Sequence, residues 1–270
     1  YKKAVLLLED SEERRSPRVL VVRLDRIGDL LLTLPVFGAI RGRFPDARVT
    51  ALVRPHGRII AERCEAVDES LAYDYAKGGA HASLKGYWRL VQEIRRRRFD
   101  IAFVVHPSLR SHLLCFLAGI PVRIGYRTNG AFFLTQSIPD RRREGLQHES
   151  RNALDVLAAV GIEGGNDRSE FRVFPEDEAR AAELLTRRGL DGNKPYTVLH
   201  TGSSSASQQW PEEHFAALAR LLALRVELLT AVAIGVKPPS DPGASRSRRR
   251  ATEPPVHPTA GQGALHSVWA

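Results

Sequence analysis

Two carboxylates, Asp25 and Asp29, stand four residues apart in "DRIGD", directly after the apolar run "RVLVVRL" of residues 18–24. A positioned carboxylate can accept the proton of an attacking hydroxyl, and one such base suffices for direct displacement at carbon. Asp29 falls where a helix begins, so free amides and the helix dipole favour its ionised form. The same placement has a plainer reading, because any Asp can cap a helix. Gly28 would permit a tight turn and close approach of a ligand. The glycine spacing of a dinucleotide-binding turn is absent.

A second stretch, "HTGSSSASQQWP" from His200 to Pro211, joins a strand-like run to a helix-like one. Gly202 and five hydroxyl side chains offer small donors to phosphate oxygens beside helix-terminal amides. It carries no G-K-[ST], and a plain polar loop has the same composition. His106 and His200 each end an apolar strand, from which they could point into a cleft. The histidines at 106, 112, 148, 200 and 214 have no metal-like spacing, and Cys64 and Cys115 stand alone. The basic runs Arg95–Arg98 and Arg141–Arg143 read as solvated surface.

Both stretches need elements to hold them. Strands are expected at 18–24, 47–53, 70–75, 99–106, 122–126 and 196–200, from their β-branched apolar character. Helices are expected at 29–44, 83–98, 148–161 and 176–189, with Pro35 forcing a kink or a fresh start in the first. A further helix-like run, "SLRSHLLCFLAG", follows the 99–106 strand, and another begins at Pro211. Apolar strands alternating with helices predict an α/β fold with a parallel sheet covered on both faces. Ligands in such sheets bind at the carboxyl ends of the strands, where both stretches fall. Beyond residue 236 the chain turns to Pro, Gly, Ser and Arg with few large apolar residues, a composition that cannot offset ordering entropy. A frameshifted end of a GC-rich gene would look the same, and that origin is favoured.

The 270 residues are 43% hydrophobic and 26% charged, an ordinary globular composition. No run suits a membrane-spanning helix, and no secretory signal is expected, since the first residues hold no short basic segment followed by an apolar core. Two cysteines without C-x-x-C spacing fit reduced thiols in a cytoplasmic setting. The chain holds no Met and begins at Tyr1, which implies that the natural start lies upstream. The net charge of +9 suggests an anionic partner, or simply a basic solvated surface.

The stretches "VLVVRLDRIGDLLLTLPVFGAIRGRFPDARVTALVRP" and "TVLHTGSSSASQQWPEEHFAALARLL" together resemble glycosyltransferase family 9, the heptosyltransferases of lipopolysaccharide core assembly. The resemblance covers residues 17–224. It implies a Rossmann-like GT-B glycosyltransferase with its N-terminal domain complete and its C-terminal domain truncated. The implied boundaries are an acceptor domain at 17–175, a linker helix at 176–195, a nucleotide-sugar domain fragment at 196–236 and a disordered or non-native tail at 237–270. Asp29 then falls on the family's catalytic base, with Asp25, Arg26 and Gly28 on the acceptor side. Thr201, Gly202, Ser203, Ser204 and Gln208 fall on the loop that holds the donor's diphosphate. No cofactor or metal is implied, only a nucleotide-sugar donor, usually ADP-heptose. The acceptor would be an anionic glycolipid, met in the cytoplasm by peripheral contact with the inner membrane surface.

Two departures stand out. Gln208 occupies the place of a family lysine, and the D-[ST]-G-x-x-H loop does not occur in the 270 residues. These departures imply that the chain by itself is inactive. A non-catalytic fragment or pseudoenzyme of the family is the first rival. A basic nucleotide- or nucleic-acid-binding α/β protein is the second. No recognition-helix or aromatic-rich basic motif supports nucleic acid.

Overall fold

The computed structural model describes residues 16–163, 171–190, 196–202, 209–225, 230–235 and 267–269. The chain divides into two compact units between Val173 and Phe174. The helix read from the sequence as a linker therefore belongs to the second unit.

In the first unit six strands form one parallel sheet: β1 Arg18–Arg23, β2 Arg48–Val53, β3 Glu69–Ala72, β4 Ile101–Val104, β5 Val122–Tyr126 and β6 Gln136–Ile138. Their order is β3-β2-β1-β4-β5-β6, so the first strand made lies at the centre. Val22 is in register with Leu52 on one side and Val104 on the other. Strand side chains alternate between faces, and β1 feeds two separate cores. Val19 and Val21 join Phe37, Ile40, Phe103 and Leu157 on one face. Leu20 and Val22 join Leu52, Leu90, Ile94 and Leu114 on the other. Burial on both faces is why the sequence shows continuous apolar runs here instead of alternation.

The first face is covered by α1 Ile27–Leu31, α2 Leu34–Arg43 and the later helix α6 Glu149–Ala158; α4 Leu84–Arg97 and α5 Leu109–Leu117 cover the second, and the short α3 Arg58–Ala61 precedes β3. Pro35 acts as expected. The helix ends after Leu31 and restarts at Leu34 with proline in its first turn, where no amide donor is needed. The Thr33 hydroxyl spans the break by donating to the Asp29 carbonyl at 2.8 Å. Cys64 and Cys115 are both buried and neither forms a disulfide, and burial pushes the Cys115 thiol up to about 12. Among the described residues no helix is long and apolar enough to cross a membrane.

The second unit contains α7 Pro175–Arg187, β7 Tyr196–His200, α8 Glu212–Arg225, β8 Thr230–Gly235 and β9 Ser267–Trp269. β8 lies between β7 and β9, parallel to both. The tail expected to lack structure over 237–270 thus needs a correction at its end. Ser267–Trp269 pairs with β8, with Ile234 opposite Val268, because β8 offers an edge whose amides and carbonyls require partners. The rest of that tail lies outside the described residues. On α8, Leu221 is exposed, while Leu218 and Leu222 are half-buried.

Candidate active site

The strand order creates a crevice. β1 leads into helices on one face of the sheet, while its neighbour β4 leads into α5 on the opposite face. The gap between them at the carboxyl edge is where open α/β sheets bind ligands. Asp25 follows β1, His106 follows β4, and the two meet across this gap with His106 Nδ1 3.3 Å from Asp25 Oδ2.

Beneath them lies a charge that the sequence reading passed over. Arg23, the last residue of β1, is 2% exposed. A guanidinium buried this deeply requires opposite charge. Arg23 Nε donates to Asp25 Oδ1 at 2.7 Å, and Nη2 donates to Glu149 Oε1 at 3.0 Å. Nη2 also stands 3.4 Å from Asp29 Oδ1. Nη1 is buried and lacks a hydrogen-bond partner among the described residues. Glu149 opens α6 and is further approached by Arg142 at 3.8 Å. Arg142 is itself gripped by both carboxylate oxygens of Asp140, each at 2.8 Å, and lies over the Tyr126 ring. That hydrogen bonding to Asp140 holds the Arg142 guanidinium above its usual value.

Burial alone would push the Asp25 carboxyl up. The hydrogen bond from His106 and the charge of Arg23 more than offset that, and the group ends below the usual carboxylate range. Asp25 is therefore an ionised anchor between two cationic or donor partners.

Asp29 is placed differently. It is the third residue of α1, not the residue before the helix, and its Oδ2 accepts the Arg26 amide at a long 3.4 Å. Its side chain is 36% exposed and open to a ligand, with Arg23 behind it. A carboxylate loosely held from behind and open in front can take a proton from a bound hydroxyl.

Arg26 precedes α1 and is exposed. The expectation for Gly28 is corrected. It lies inside α1 without a positive φ, and a Cβ there would meet nothing within 4 Å. The turn does not need glycine, because the chain reverses through the helix start at Arg26. Only open space above the residue remains.

The structure thus brings Asp25, Asp29 and His106 together with Arg23, Glu149 and Arg142. Arg23 had a signal: it is a charge set between Val22 and Leu24 in an apolar run. Glu149 had none, being 126 residues from Arg23. Arg142, expected on solvated surface, is held in the network by Asp140 and Tyr126. The Tyr126 hydroxyl in turn donates to the Asn152 carbonyl. Tyr126 and Asn152 line an adjoining pocket of about 460 Å³, with Ile138, Pro139, Leu146 and Asp155. Among the described residues no set of three or more His, Cys, Asp or Glu side chains converges as a metal site would.

In the second unit, Thr201 and Gly202 follow β7 and are half-buried, and His200 is exposed. Ser203, Ser204 and Gln208 lie outside the described residues.

Comparison with known proteins bears on the whole arrangement. The family model described as glycosyltransferase family 9 (heptosyltransferase) matches residues 87–229, a span that leaves the Arg23–Asp29 loop outside it. Lipopolysaccharide heptosyltransferase 2 of Escherichia coli (strain K12) is 23% identical over 211 residues, covering 76% of this chain and 60% of that relative. The chain therefore spans about three-fifths of the relative's length. The solved family 9 glycosyl transferase from Veillonella parvula DSM 2008 superposes with a TM-score of 0.72 at 23% identity, over 80% of this chain and 62% of that one. An E. coli heptosyltransferase solved with ADP-2-deoxy-2-fluoro heptose gives 0.57 at 20% identity, over 80% and 68% of the two chains. These structures share the Rossmann-like α/β architecture of GT-B glycosyltransferases, and the match over more than half of the sequence settles the relationship: the chain belongs to glycosyltransferase family 9.

Proposed function

We propose that the protein transfers a heptose or a similar sugar from a nucleotide sugar to an acceptor of the lipopolysaccharide-core type. Asp29 is the base. The acceptor hydroxyl gives its proton to the Asp29 carboxylate as its oxygen bonds to the anomeric carbon. The bond from that carbon to the diphosphate oxygen breaks, and the nucleoside diphosphate leaves with the electron pair. Attack opposite the leaving group inverts the anomeric centre. Arg23 and Asp25 position the base, and Glu149 and His106 complete the charge balance around them. Thr201 and Gly202, at the end of β7, are the residues that take the donor's diphosphate. An ADP-heptose donor is consistent with the ADP-sugar analogue held by the E. coli heptosyltransferase of similar fold.

The observation that carries this reading is the Asp29 carboxylate, half-exposed at the crevice mouth with a buried guanidinium 3.4 Å behind it. The test is Asp29→Asn in the full-length enzyme. Asparagine keeps the shape and accepts no proton, so turnover should fall by about 10²- to 10⁴-fold while donor and acceptor still bind. Asp25→Asn should lose less. Near-normal turnover by Asp29→Asn would remove it from the mechanism. The 270 residues alone are expected to give no measurable transfer, because the family's D-[ST]-G-x-x-H loop is not among them.

A further inference from the structure

A second group of residues gathers on the other side of the "DRIGD" loop. Arg54 directly follows β2, Tyr75 lies just past β3, and Arg110 is the second residue of α5. All three stand at the carboxyl edge of the sheet. The Tyr75 hydroxyl donates to the Leu24 carbonyl at 3.1 Å, which pins its ring to the residue immediately before Asp25. Both guanidiniums lie on that ring, Arg54 at 5.0 Å and Arg110 at 4.7 Å from its centroid.

Two like charges sharing one ring repel each other, and the ring's quadrupole answers only part of that repulsion. Counter-charge is the usual remedy. Other arginines of this unit have one: Arg58 has Glu62, Arg97 has Glu69 and Arg23 has its carboxylates. Among the described residues neither Arg54 nor Arg110 has a carboxylate within 4.0 Å. Asp74, the acid next to Tyr75 in sequence, is turned onto Gly79 instead.

A second observation points the same way. Tyr73 is fully buried, its ring edge-on to Tyr75 at 5.1 Å, and its hydroxyl has no hydrogen-bond partner among the described residues. Arg110 lies 6.0 Å from the Tyr73 ring centroid. Its charge offsets part of the upward push that burial gives the phenol, though no hydrogen bond of normal geometry joins them. The two guanidiniums and the Tyr73 hydroxyl thus stand together with no carboxylate partner among the described residues. Planar guanidinium forks suit the paired oxygens of a phosphate or carboxylate.

We propose that Arg54 and Arg110, held on the Tyr75 ring, form a binding site for an oxyanion, the phosphate or carboxylate of the acceptor sugar, beside the Asp29 loop. The assignment to the acceptor rests on the glycosyltransferase reading; the anion site itself does not. With the acceptor's charged group fixed here, its hydroxyl is delivered to the base at the neighbouring strand end, while a neutral sugar gains no such hold.

The test is a titration of the 270-residue chain with inorganic phosphate, acetate, glucose 6-phosphate and glucose, at constant ionic strength, following the thermal transition. Phosphate or acetate should raise the transition with roughly millimolar half-saturation, as a site of two charge-assisted contacts allows. Glucose 6-phosphate should match or exceed phosphate if the site takes a sugar-borne anion, and glucose should do nothing. Arg54→Gln with Arg110→Gln should abolish the shift, while Arg89→Gln, on the exposed side of α4, should keep it. Arg54→Lys with Arg110→Lys retains charge without the fork and should weaken half-saturation several-fold, which guards against loss through misfolding. An equal anion response in the double Gln variant would overturn the proposal, as would no response in the unaltered chain up to 50-fold above the expected half-saturation. Neither result touches the Asp29 reading, which turnover alone tests. In the full-length enzyme the double Gln variant should raise KM for an anionic acceptor more than it lowers kcat.

Discussion

Replacing Gly28 by alanine separates folding from ligand contact in the "DRIGD" loop. The residue is helical and faces open space, so alanine should leave stability unchanged or raise it by up to about 1 kcal/mol, the helix-propensity difference. The added methyl enters open space on the side of the loop that the proposed reading gives to the acceptor, so kcat/KM should fall by about tenfold through a displaced acceptor. Urea unfolding and steady-state kinetics on the same variant check both halves. At Asp25 the prediction concerns pH. Its folded value is depressed below the unfolded carboxylate's 3.8, so its stabilising contribution is complete above that value and drains away as pH falls through the folded one. Asp25→Asn should therefore be less stable than the parent at pH 7, with the gap closing below about pH 4 in urea midpoints. Asp25 and Asp29 were legible in the sequence because both sit at a strand-to-helix junction. Their roles were not legible, because these depend on Arg23 and on Glu149, which only the folded chain brings within 3.0 Å of each other.

At the scale of elements, α4 carries an instructive glycine. Gly86 lies in its first turn, and alanine within a helix ordinarily stabilises by about 1 kcal/mol. Here an added Cβ would stand 2.1 Å from the Ala80 carbonyl oxygen, a backbone atom that cannot swing aside. The sign should reverse. Gly86→Ala should destabilise by about 1–3 kcal/mol, the usual cost of overpacking, as read from chemical denaturation. The proline restart of α2 was legible because proline's missing donor acts locally. β6 was not, because its three residues, Gln136–Ile138, are too few and too polar to show a period. It exists because β5 had an open edge. β9 arose on β8 in the same way.

For the whole molecule, the two units should differ in protection. β1, β2 and β4 are buried on both faces within two cores, and their amides should open only with global unfolding. In β7, Tyr196 and Val198 are 42% and 50% exposed, so little burial opposes local opening. Hydrogen exchange should be at least about a hundredfold faster in β7 than in β1, and comparable rates would contradict the described packing. The α/β class was legible because it depends on the order of apolar runs. No composition change marks the partition at Val173; the boundary expected at 175 came from the family resemblance alone.

The central place of β1 also shapes how the protein is made. Its partner β4 pairs through Val19 and Ile101, so one edge of the first strand stays open until about eighty further residues have left the ribosome. At about 5–20 residues per second that is roughly 4–16 s during which "VLVVRL" is exposed. A nascent chain with such an interval depends on holding factors or on slow translation to avoid pairing with its neighbours. Its yield in a cell would respond to chaperone supply more than to the stability of the finished sheet.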